Sequence, residues 1–312
     1  MIEVSGLTKT YGQVRAIDDL TFAVRPGRVT GFLGPNGAGK TTTMRCTLGL
    51  DRPTAGRATI DGRDYAALDR PLTKVGALLD AKWVHPNRSA RDHLRWLAAA
   101  TGLPASRADE CLAVVGLSAV ATKRAGGFSL GMAQRLGIAG ALLGDPAVLI
   151  FDEPVNGLDP EGIVWVRTFM KSLAAQGRTV LVSSHLLPEM ALTADDVVIV
   201  GRGRLVWNGT MADFIDQNSE HSVRVRSPRE RDLAEALTSR GLQVSIAAEA
   251  APGGGGRSVL TVRGATSDAI GEIAAAEALP LSELSPQQSS LEQVFMQLTG
   301  GAVEYRGMGG VA

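Results

Sequence analysis

The chain has 312 residues, which exceeds the size at which one hydrophobic core usually divides, so we expect a large domain and a smaller one. Its 32 lysines and arginines balance 32 aspartates and glutamates, and this balance argues against nucleic acid as the main partner. The only cysteines, Cys46 and Cys111, are far apart in sequence, which excludes a disulfide framework and favours a reducing cytosolic compartment.

The sequence contains no stretch that predicts export or a membrane span. Its first residues have neither a basic start nor an apolar run. The most apolar stretch, residues 136–151, is interrupted by glycine, aspartate and proline and falls short of the roughly 20 apolar residues that cross a bilayer. We therefore expect a cytoplasmic protein that takes part in transport only through a separate membrane-spanning partner.

The chain opens with two stretches of alternating apolar and polar side chains. Residues 2–8 and 16–24 predict an antiparallel pair of strands with a turn over residues 9–12, and residues 57–61 predict a further strand. Tyr11 falls in the predicted turn. Its ring is able to stack on an adenine, but exposed turn tyrosines are common, so residue type alone leaves both interpretations open.

The next stretch has the pattern Gly34-x-x-x-x-Gly39-Lys40-Thr41, between a β-prone segment at residues 28–33 and a predicted helix at residues 42–50. Glycines let successive backbone N–H groups converge on a phosphate at a helix start, where the helix dipole favours an anion. Lys40 adds a positive charge, and Thr41 adds a hydroxyl for Mg²⁺. The pattern therefore predicts a triphosphate site formed by Gly34, Pro35, Asn36, Gly37, Ala38, Gly39, Lys40, Thr41 and Thr42.

Strand and helix signals continue through the middle of the chain. Residues 74–79 predict a strand that ends at Asp80, and residues 86–121 predict helix. Residues 130–143 predict a helix capped by Ser129. His85 and His93 have no second ligand at helical spacing, so we assign no metal to them.

An unbroken apolar run at residues 148–151 ends in Asp152 and Glu153, which is typical of a buried parallel strand that delivers polar groups to the phosphate-binding edge. Asp152 is placed to hold Mg²⁺, and Glu153 to accept a proton from an attacking water. His185, beyond a predicted strand at residues 179–183, is placed to donate a hydrogen bond to a γ-phosphate. The alternative for Asp152 and Glu153 is that they only cap the next helix. The alternative for His185 is an ordinary polar histidine in a loop.

Other segments complete this domain and predict a second one. Residues 163–176 predict helix, and residues 197–200 and 204–207 predict the last strands of the first domain. The composition changes after residue 214, and strand, helix, strand, strand, helix, strand then follow in the order of a split βαβ, ferredoxin-like unit. We expect domains at residues 1–215 and 219–299 and a flexible tail at residues 300–312.

The ordered motifs of residues 2–215 resemble the nucleotide-binding subunit of an ATP-binding-cassette transporter. Phe128-Ser-Leu-Gly-Met132 resembles the family's signature, Leu-Ser-Gly-Gly-Gln, and residues 148–153 resemble its Mg²⁺ and base strand. Asn156-Gly-Leu-Asp159 resembles the loop that crosses to the other subunit. His185 resembles the switch histidine, and Tyr11 matches the adenine-stacking position. The resemblance implies an α/β P-loop NTPase core, with an antiparallel β subdomain and a helical subdomain at about residues 86–145.

The resemblance also implies a mechanism, because each motif occurs once. In this family the signature of one subunit closes over the P-loop of another, with two ATP molecules between them. Ser129, Gly131 and Asp159 would then serve an ATP bound by a second ATP-binding subunit, in a homodimer or a close heterodimer. Such a dimer would lie on the inner face of the membrane and drive an integral membrane permease.

The chain departs from the family pattern at three positions. Leu130 replaces the first signature glycine, and Met132 replaces the glutamine. Asp80 stands where the family has a glutamine that touches Mg²⁺ and the attacking water, and a carboxylate there still serves the metal through water. With the appended domain and residues 291–295, these departures resemble the resistance exporters for bacitracin and daunorubicin, which implies export of an antibiotic, drug or lipid-like molecule.

Two other functions remain as alternatives. One is a soluble cassette ATPase that acts on ribosomes or DNA, although such proteins usually carry two cassettes or long insertions. The other is a different P-loop enzyme, such as a kinase or GTPase, but the chain has no Asn-Lys-x-Asp guanine motif and residues 128–136 would be unexplained.

Overall fold

The computed structural model describes residues 1–81, 83–218, 221–249, 257–288 and 291–300. The chain divides into two compact units, the first made of Met1–Ala212 with the end of the last helix from Phe295, and the second of Asp213–Val294. Residue 219, where we placed the start of the second domain, and residues 301–312 of the predicted tail lie outside the described residues.

The first unit is built from both strands and helices. In chain order its elements are β1 (Ile2–Tyr11), β2 (Val14–Val24), β3 (Val29–Leu33), α1 (Lys40–Thr47), β4 (Ala55–Ile60), β5 (Val75–Leu78), α2 (Ala90–Ala100), α3 (Ser106–Val114), α4 (Leu130–Leu142), β6 (Val148–Phe151), α5 (Pro160–Ala175), β7 (Thr179–Ser184), α6 (Leu187–Ala191), β8 (Asp196–Gly201) and β9 (Arg204–Thr210).

Among the described residues, the strands of the central sheet follow the order β5-β6-β7-β3-β8-β9. Strand β9 is antiparallel to β8, and the other neighbours are parallel. Every residue of β3, β6 and β7 is buried, as expected for parallel strands covered on both faces. Because β3, β6 and β7 are adjacent and parallel, the residues that follow them meet at one edge of the sheet. That edge carries the predicted phosphate loop, the acidic pair and His185.

A second sheet is antiparallel, and its strands in the described residues follow the order β2-β1-β4. This sheet packs against the core of the central sheet. Phe22 of β2 stacks on Phe32 of β3, with ring centroids 5.2 Å apart. The strand β1 extends through Tyr11, so the predicted turn over residues 9–12 is wrong. Tyr11 pairs with Val14, which leaves only Gly12, at a φ of 57°, and Gln13 as a two-residue hairpin loop.

The helical part at residues 86–145 contains α2, α3 and α4, so the single helix predicted over residues 86–121 is also wrong. Ser89 caps α2 by accepting a hydrogen bond from the Asp92 backbone N–H. Gly102, at a φ of 67°, ends this helix: its N–H donates to Ala99 and the Leu103 N–H donates to Ala98. This Schellman motif stops the helix because only glycine adopts that left-handed conformation without strain.

The second unit has the predicted split βαβ order. Its elements, after α7 (Met211–Asn218) at the boundary, are β10 (His221–Arg226), α8 (Glu230–Thr238), β11 (Gln243–Glu249), β12 (Arg257–Arg263), α9 (Ser267–Ala276), β13 (Glu283–Gln288) and α10 (Leu291–Gly300). The described strands form one antiparallel sheet in the order β11-β12-β10-β13. Apolar residues of the sheet and of α8 and α9 form a separate core.

Within the part of the chain that the structure describes, no helix is both long enough and apolar enough to cross a membrane.

Candidate functional site

The loop between β3 and α1 has the backbone shape of a phosphate cradle. Gly37 and Gly39 have φ angles of 82° and 97°, in the left-handed region that glycine tolerates. A β-carbon at Gly34 would lie 2.6 Å from the Val200 carbonyl oxygen, and one at Gly39 would lie 2.5 Å from the Ala16 carbonyl oxygen. Larger residues are therefore excluded at positions 34 and 39, and the loop ends at the N-terminus of α1, where an anion is favoured.

Lys40 begins α1 and points back over this loop. Its side chain is only 6% exposed, and Nζ donates to the Gly34 carbonyl oxygen at 2.6 Å. Nζ also lies 3.3 Å from Glu153 Oε1. This separation is an ion-pair distance without hydrogen-bond geometry, and among the described residues no group donates a hydrogen bond to that buried oxygen. The lysine therefore places its charge between the glycine loop and the carboxylate of Glu153.

Thr41 and Asp152 form the second part of the site. The Thr41 hydroxyl donates to Asp152 Oδ2 at 2.5 Å, and Asp152 is 8% exposed. Ser183, at the end of β7, donates from Oγ to Asp152 Oδ1 and accepts a hydrogen bond from the Glu153 backbone N–H at 2.9 Å. These contacts hold the carboxylate of Asp152 against the threonine, one residue after β6.

Ser183 is a site residue that the sequence does not predict, although residues 179–183 predict a strand. Its hydrogen bonds reach Asp152 and Glu153, which follow β6 and lie 31 and 30 positions earlier in the chain. No local sequence pattern indicates contacts over that separation. The detectable signal was the pair Ser183-Ser184 at the end of an apolar run, immediately before His185.

Glu153 is held in an unusual conformation. Its φ is 48°, in the left-handed region that costs an ordinary side chain about 1 kcal/mol or more. His185 Nδ1 lies 2.9 Å from Glu153 Oε2, and the histidine side chain is about one third exposed. Glu153 therefore sits between Lys40 and His185, with both carboxylate oxygens close to groups that carry or can carry a positive charge.

Tyr11 lies at the end of β1 with 45% of its surface exposed. Its hydroxyl donates to Asp51 Oδ2 at 2.8 Å, and Arg45 Nε on α1 donates to the same oxygen at 2.7 Å. The Arg45 guanidinium, followed by the Tyr11 hydroxyl, lowers the pKa of Asp51. Burial and the hydrogen bond to Asp51 raise the pKa of Tyr11. The ring is thus tethered to the helix that starts at the phosphate loop.

The structure places the remaining predicted residues at three separate points. Ser129 is exposed and caps α4 by accepting a hydrogen bond from the Met132 backbone N–H at 3.2 Å, as predicted, and Gly131 is in the first turn of that helix. Asp159 caps α5 by accepting a hydrogen bond from the Gly162 N–H at 2.8 Å. Asp80 is exposed two residues after β5, the neighbour of β6 in the sheet.

The donor set fits Mg²⁺ and a nucleotide. Thr41 and Asp152 offer hydroxyl and carboxylate oxygens, which are the ligands Mg²⁺ prefers. Among the described residues no group of three or more His, Cys, Asp or Glu side chains forms a complete metal cage. Mg²⁺ usually takes its other ligands from water and from substrate phosphates, so a pair of protein oxygens beside a phosphate loop is a suitable arrangement.

The comparisons with known proteins agree with the fold. A family model described as ABC transporter matches residues 17–156, and one described as a domain of unknown function, DUF8746, matches residues 221–292. The chain is 35% identical to the uncharacterized ABC transporter ATP-binding protein YhcH of Bacillus subtilis (strain 168), over 97% of both chains. It is 43% identical to the bacitracin transport ATP-binding protein BcrA of Bacillus licheniformis, over 66% of this chain and 68% of the relative.

Among solved structures, the dimeric ATP-binding cassette MJ0796, bound to ADP and Pi in a post-hydrolysis state, matches with a TM-score of 0.61 and 24% identity. The match covers 68% of this chain and 99% of that one, and it supports the fold. The site geometry, the fold and the full-length relative lead to one conclusion: the chain belongs to the ATP-binding proteins of the ABC transporter family, whose cassettes bind and hydrolyse ATP to power transport.

Proposed function

We propose that this ABC ATPase powers export of an antibiotic, a drug or a lipid-like molecule through a separate integral membrane permease. The observation that carries the catalytic part of the proposal is the position of Glu153, between the Lys40 ammonium and the His185 imidazole at the edge of the central sheet. The identity to a bacitracin transport protein supports the export part.

Residues of the glycine loop and α1 bind the triphosphate. The backbone N–H groups of residues 39–42, at the start of α1, face the phosphates, and Lys40 neutralises their charge. The hydroxyl of Thr41 and the carboxylate of Asp152 would hold Mg²⁺, and Asp80 would reach it through water. When bound, Mg²⁺ offsets negative charge on the phosphate that is transferred to water. Tyr11 stacks on the adenine.

Glu153 is the general base. It accepts a proton from the attacking water through a carboxylate oxygen, while Lys40 stabilises the charge on the phosphate. His185 orients this carboxylate through Nδ1. A neutral ring that donates from Nδ1 presents Nε2 as an acceptor, whereas an imidazolium donates from both nitrogens. Donation from His185 to a γ-phosphate therefore requires the imidazolium as long as the contact with Glu153 is kept.

The active form is a dimer in which each ATP lies between the P-loop of one protomer and the signature of the other. Ser129 and the backbone of Gly131 then contact the γ-phosphate at the start of α4, and Asp159 approaches it from the loop before α5. The dimeric assembly of the matched cassette structure supports this arrangement. Dimer closure and opening move the permease, and the subunit lies peripherally on the inner face of the membrane.

The Glu153→Gln variant tests the site. Removing the base should lower kcat by about 100-fold or more, while ATP affinity stays close to that of the parent chain because the amide preserves the shape of the carboxylate. Dimers should then accumulate with ATP and Mg²⁺, as measured by light scattering. The control is Glu161→Gln, at an exposed position in the first turn of α5. Unchanged turnover in Glu153→Gln would falsify the base assignment.

Purification of the full chain from its native membranes tests the export proposal. We expect an integral membrane protein to copurify stoichiometrically and to raise the ATPase rate when both are reconstituted in vesicles. Copurification with ribosomes or DNA instead would favour the alternative of a soluble cassette ATPase.

A further inference from the structure

Leu130 makes a specific contact with the loop that follows the catalytic glutamate. A β-carbon built on Gly157 would overlap Leu130 Cδ2 and lie 3.3 Å from Leu130 Cγ. The leucine side chain therefore rests against the bare backbone of Gly157. In the opposite direction, a β-carbon on Gly131 would lie 3.3 Å from Leu158 Cδ2. The first turn of α4 and the loop after Glu153 thus each present a leucine to a glycine of the other.

The contact is not part of the hydrophobic core. Leu130 is 43% exposed, and Gly157 is also exposed. An exposed leucine against an exposed glycine buries little apolar surface, so its contribution to the stability of the fold is small. Its significance lies in the groups at either end of the contact.

Both ends lead directly to residues of the proposed mechanism. On one side, Leu130 is the first residue of α4 and follows its N-cap, Ser129. On the other side, Gly157 lies in a tight loop that starts at Glu153, because the Asn156 N–H donates to the Glu153 carbonyl oxygen at 3.2 Å. The Leu158 N–H closes the next turn by donating to Val155 at 3.2 Å. A displacement of this loop therefore reaches the first turn of α4 and its N-cap, Ser129, through the side chains of Leu130 and Leu158.

We propose that Leu130 is a positioning residue, which fixes Ser129 relative to the Glu153 loop through its contact with Gly157. The inference rests on the proposed dimer, in which Ser129 and Glu153 of one protomer serve different ATP molecules. The leucine then links the two ATP sites inside each protomer, and closure of the dimer depends on its side chain. A glycine at position 130 has no side chain, so it does not make this contact.

The test uses the full chain in the Glu153→Gln background, with ATP and Mg²⁺. Leu130→Ala should weaken ATP-driven dimerisation by about tenfold, measured by sedimentation at several protein concentrations. Leu130→Met, which keeps the side-chain volume, should restore it. ATP affinity in dilute monomeric solution and the nucleotide-free melting temperature should match those of the parent. A substitution that damaged the fold of the monomer would change both. Leu192→Ala is the control, because Leu192 is also exposed, at 55%.

A second pair of variants tests the contact with Gly157. Gly157→Ala should weaken dimerisation, because the added methyl group overlaps Leu130. Its control is Gly177→Ala, where φ is 86° and no atom lies within 4 Å of an added β-carbon, so the backbone strain is similar but the clash is absent. The double variant Leu130→Ala with Gly157→Ala should dimerise better than Gly157→Ala alone, since the overlapping atoms are gone.

The outcomes separate the two proposals. If the parent dimerises with ATP but Leu130→Ala dimerises equally well, the positioning role is overturned and the proposed function stands. A Gly157→Ala defect that Leu130→Ala leaves unrelieved would also overturn it. If the Glu153→Gln parent itself stays monomeric with ATP, the dimeric mechanism and the role of Leu130 both fail.

Discussion

At the scale of single residues, Ser183 is the group that joins the metal-binding and base residues. One hydroxyl donates to Asp152 and accepts from the Glu153 backbone N–H. Ser183 is completely buried, so water does not replace these contacts without rearrangement. A buried carboxylate oxygen that loses its donor incurs a desolvation penalty and becomes free to turn away from Thr41.

We expect Ser183→Ala to lower kcat by about tenfold and to raise the Mg²⁺ concentration needed for half-maximal ATPase rate. The physical reason is the loss of the donor that orients Asp152. Steady-state ATPase assays at varied Mg²⁺ check this expectation. Ser172→Ala is the matched control, because the Ser172 hydroxyl donates only to the Phe169 carbonyl oxygen of its own helix. Equal kinetics in the two variants would contradict the role of Ser183.

The Tyr11 ring depends on a second residue, Asp51. We expect Asp51→Asn and Tyr11→Phe each to raise the KM for ATP by about threefold with little change in kcat, because each weakens the tether but keeps the ring. The double variant should lose no more than the more affected single variant, since both substitutions act on the same hydrogen bond. Asp109→Asn is the control, as Asp109 is another arginine-paired carboxylate. Additive losses would argue against the tether.

At the scale of elements, α2 carries a buried titratable group. His93 is 8% exposed, and burial, followed by the nearby Arg88 charge, lowers its pKa. The folded chain therefore keeps this ring neutral at a pH where the unfolded chain, with a histidine pKa of about 6.5, already binds a proton. Stability is fully present above that value and falls as the pH drops below it.

We expect the His93→Gln variant to lose less stability than the parent chain between pH 7 and pH 5.5. The parent should lose up to about 1.4 kcal/mol of unfolding free energy per pH unit from this residue alone, until the folded pKa is reached. Urea titrations at several pH values measure the difference. His85→Gln, at an exposed position, should follow the parent. Parallel pH profiles for His93→Gln and the parent would refute this explanation.

Most elements could be predicted because their signals are local. The phosphate loop, the run at residues 148–151 and the split βαβ order follow from short patterns of glycine and apolar residues. The break between α2 and α3 was missed because the apolar period on both sides of Gly102 outweighed the stop signal of Gly102 and Pro104. The short helices α6 and α7 were missed because Leu187–Ala191 and Met211–Asn218 give too few turns for a period to be recognised.

At the scale of the whole molecule, the order of strands in the central sheet is the part that sequence patterns do not contain. In that order β3 lies between β7 and β8, although about 150 residues separate β3 from either strand. The apolar patterns predict that Asp152, His185 and Lys40 reach the same edge, since parallel strands share it. They do not predict which groups touch, and the contacts of Ser183 depend on β6 and β7 being neighbours.

The proposed division of each ATP site between two protomers predicts complementation. Lys40→Ala and Ser129→Asp should each be inactive alone, the first through lost phosphate binding and the second through repulsion of the γ-phosphate by a residue that still caps α4. Random mixing should recover about a quarter of the parent ATPase rate, because half of the dimers are mixed and each contains one intact site. Mixing Ser129→Asp with a chain that carries both substitutions should recover nothing. Full activity of Ser129→Asp alone would refute shared sites.

The left-handed backbone of Glu153 has a consequence for how this protein responds to selection. Glycine and alanine at this position both remove the carboxylate that faces Lys40, but only glycine adopts the φ of 48° without steric cost, so the Glu153→Gly chain should melt at a higher temperature than the Glu153→Ala chain while neither hydrolyses ATP. Directed evolution for heat resistance, without a screen for turnover, would therefore favour glycine among the inactive replacements of Glu153.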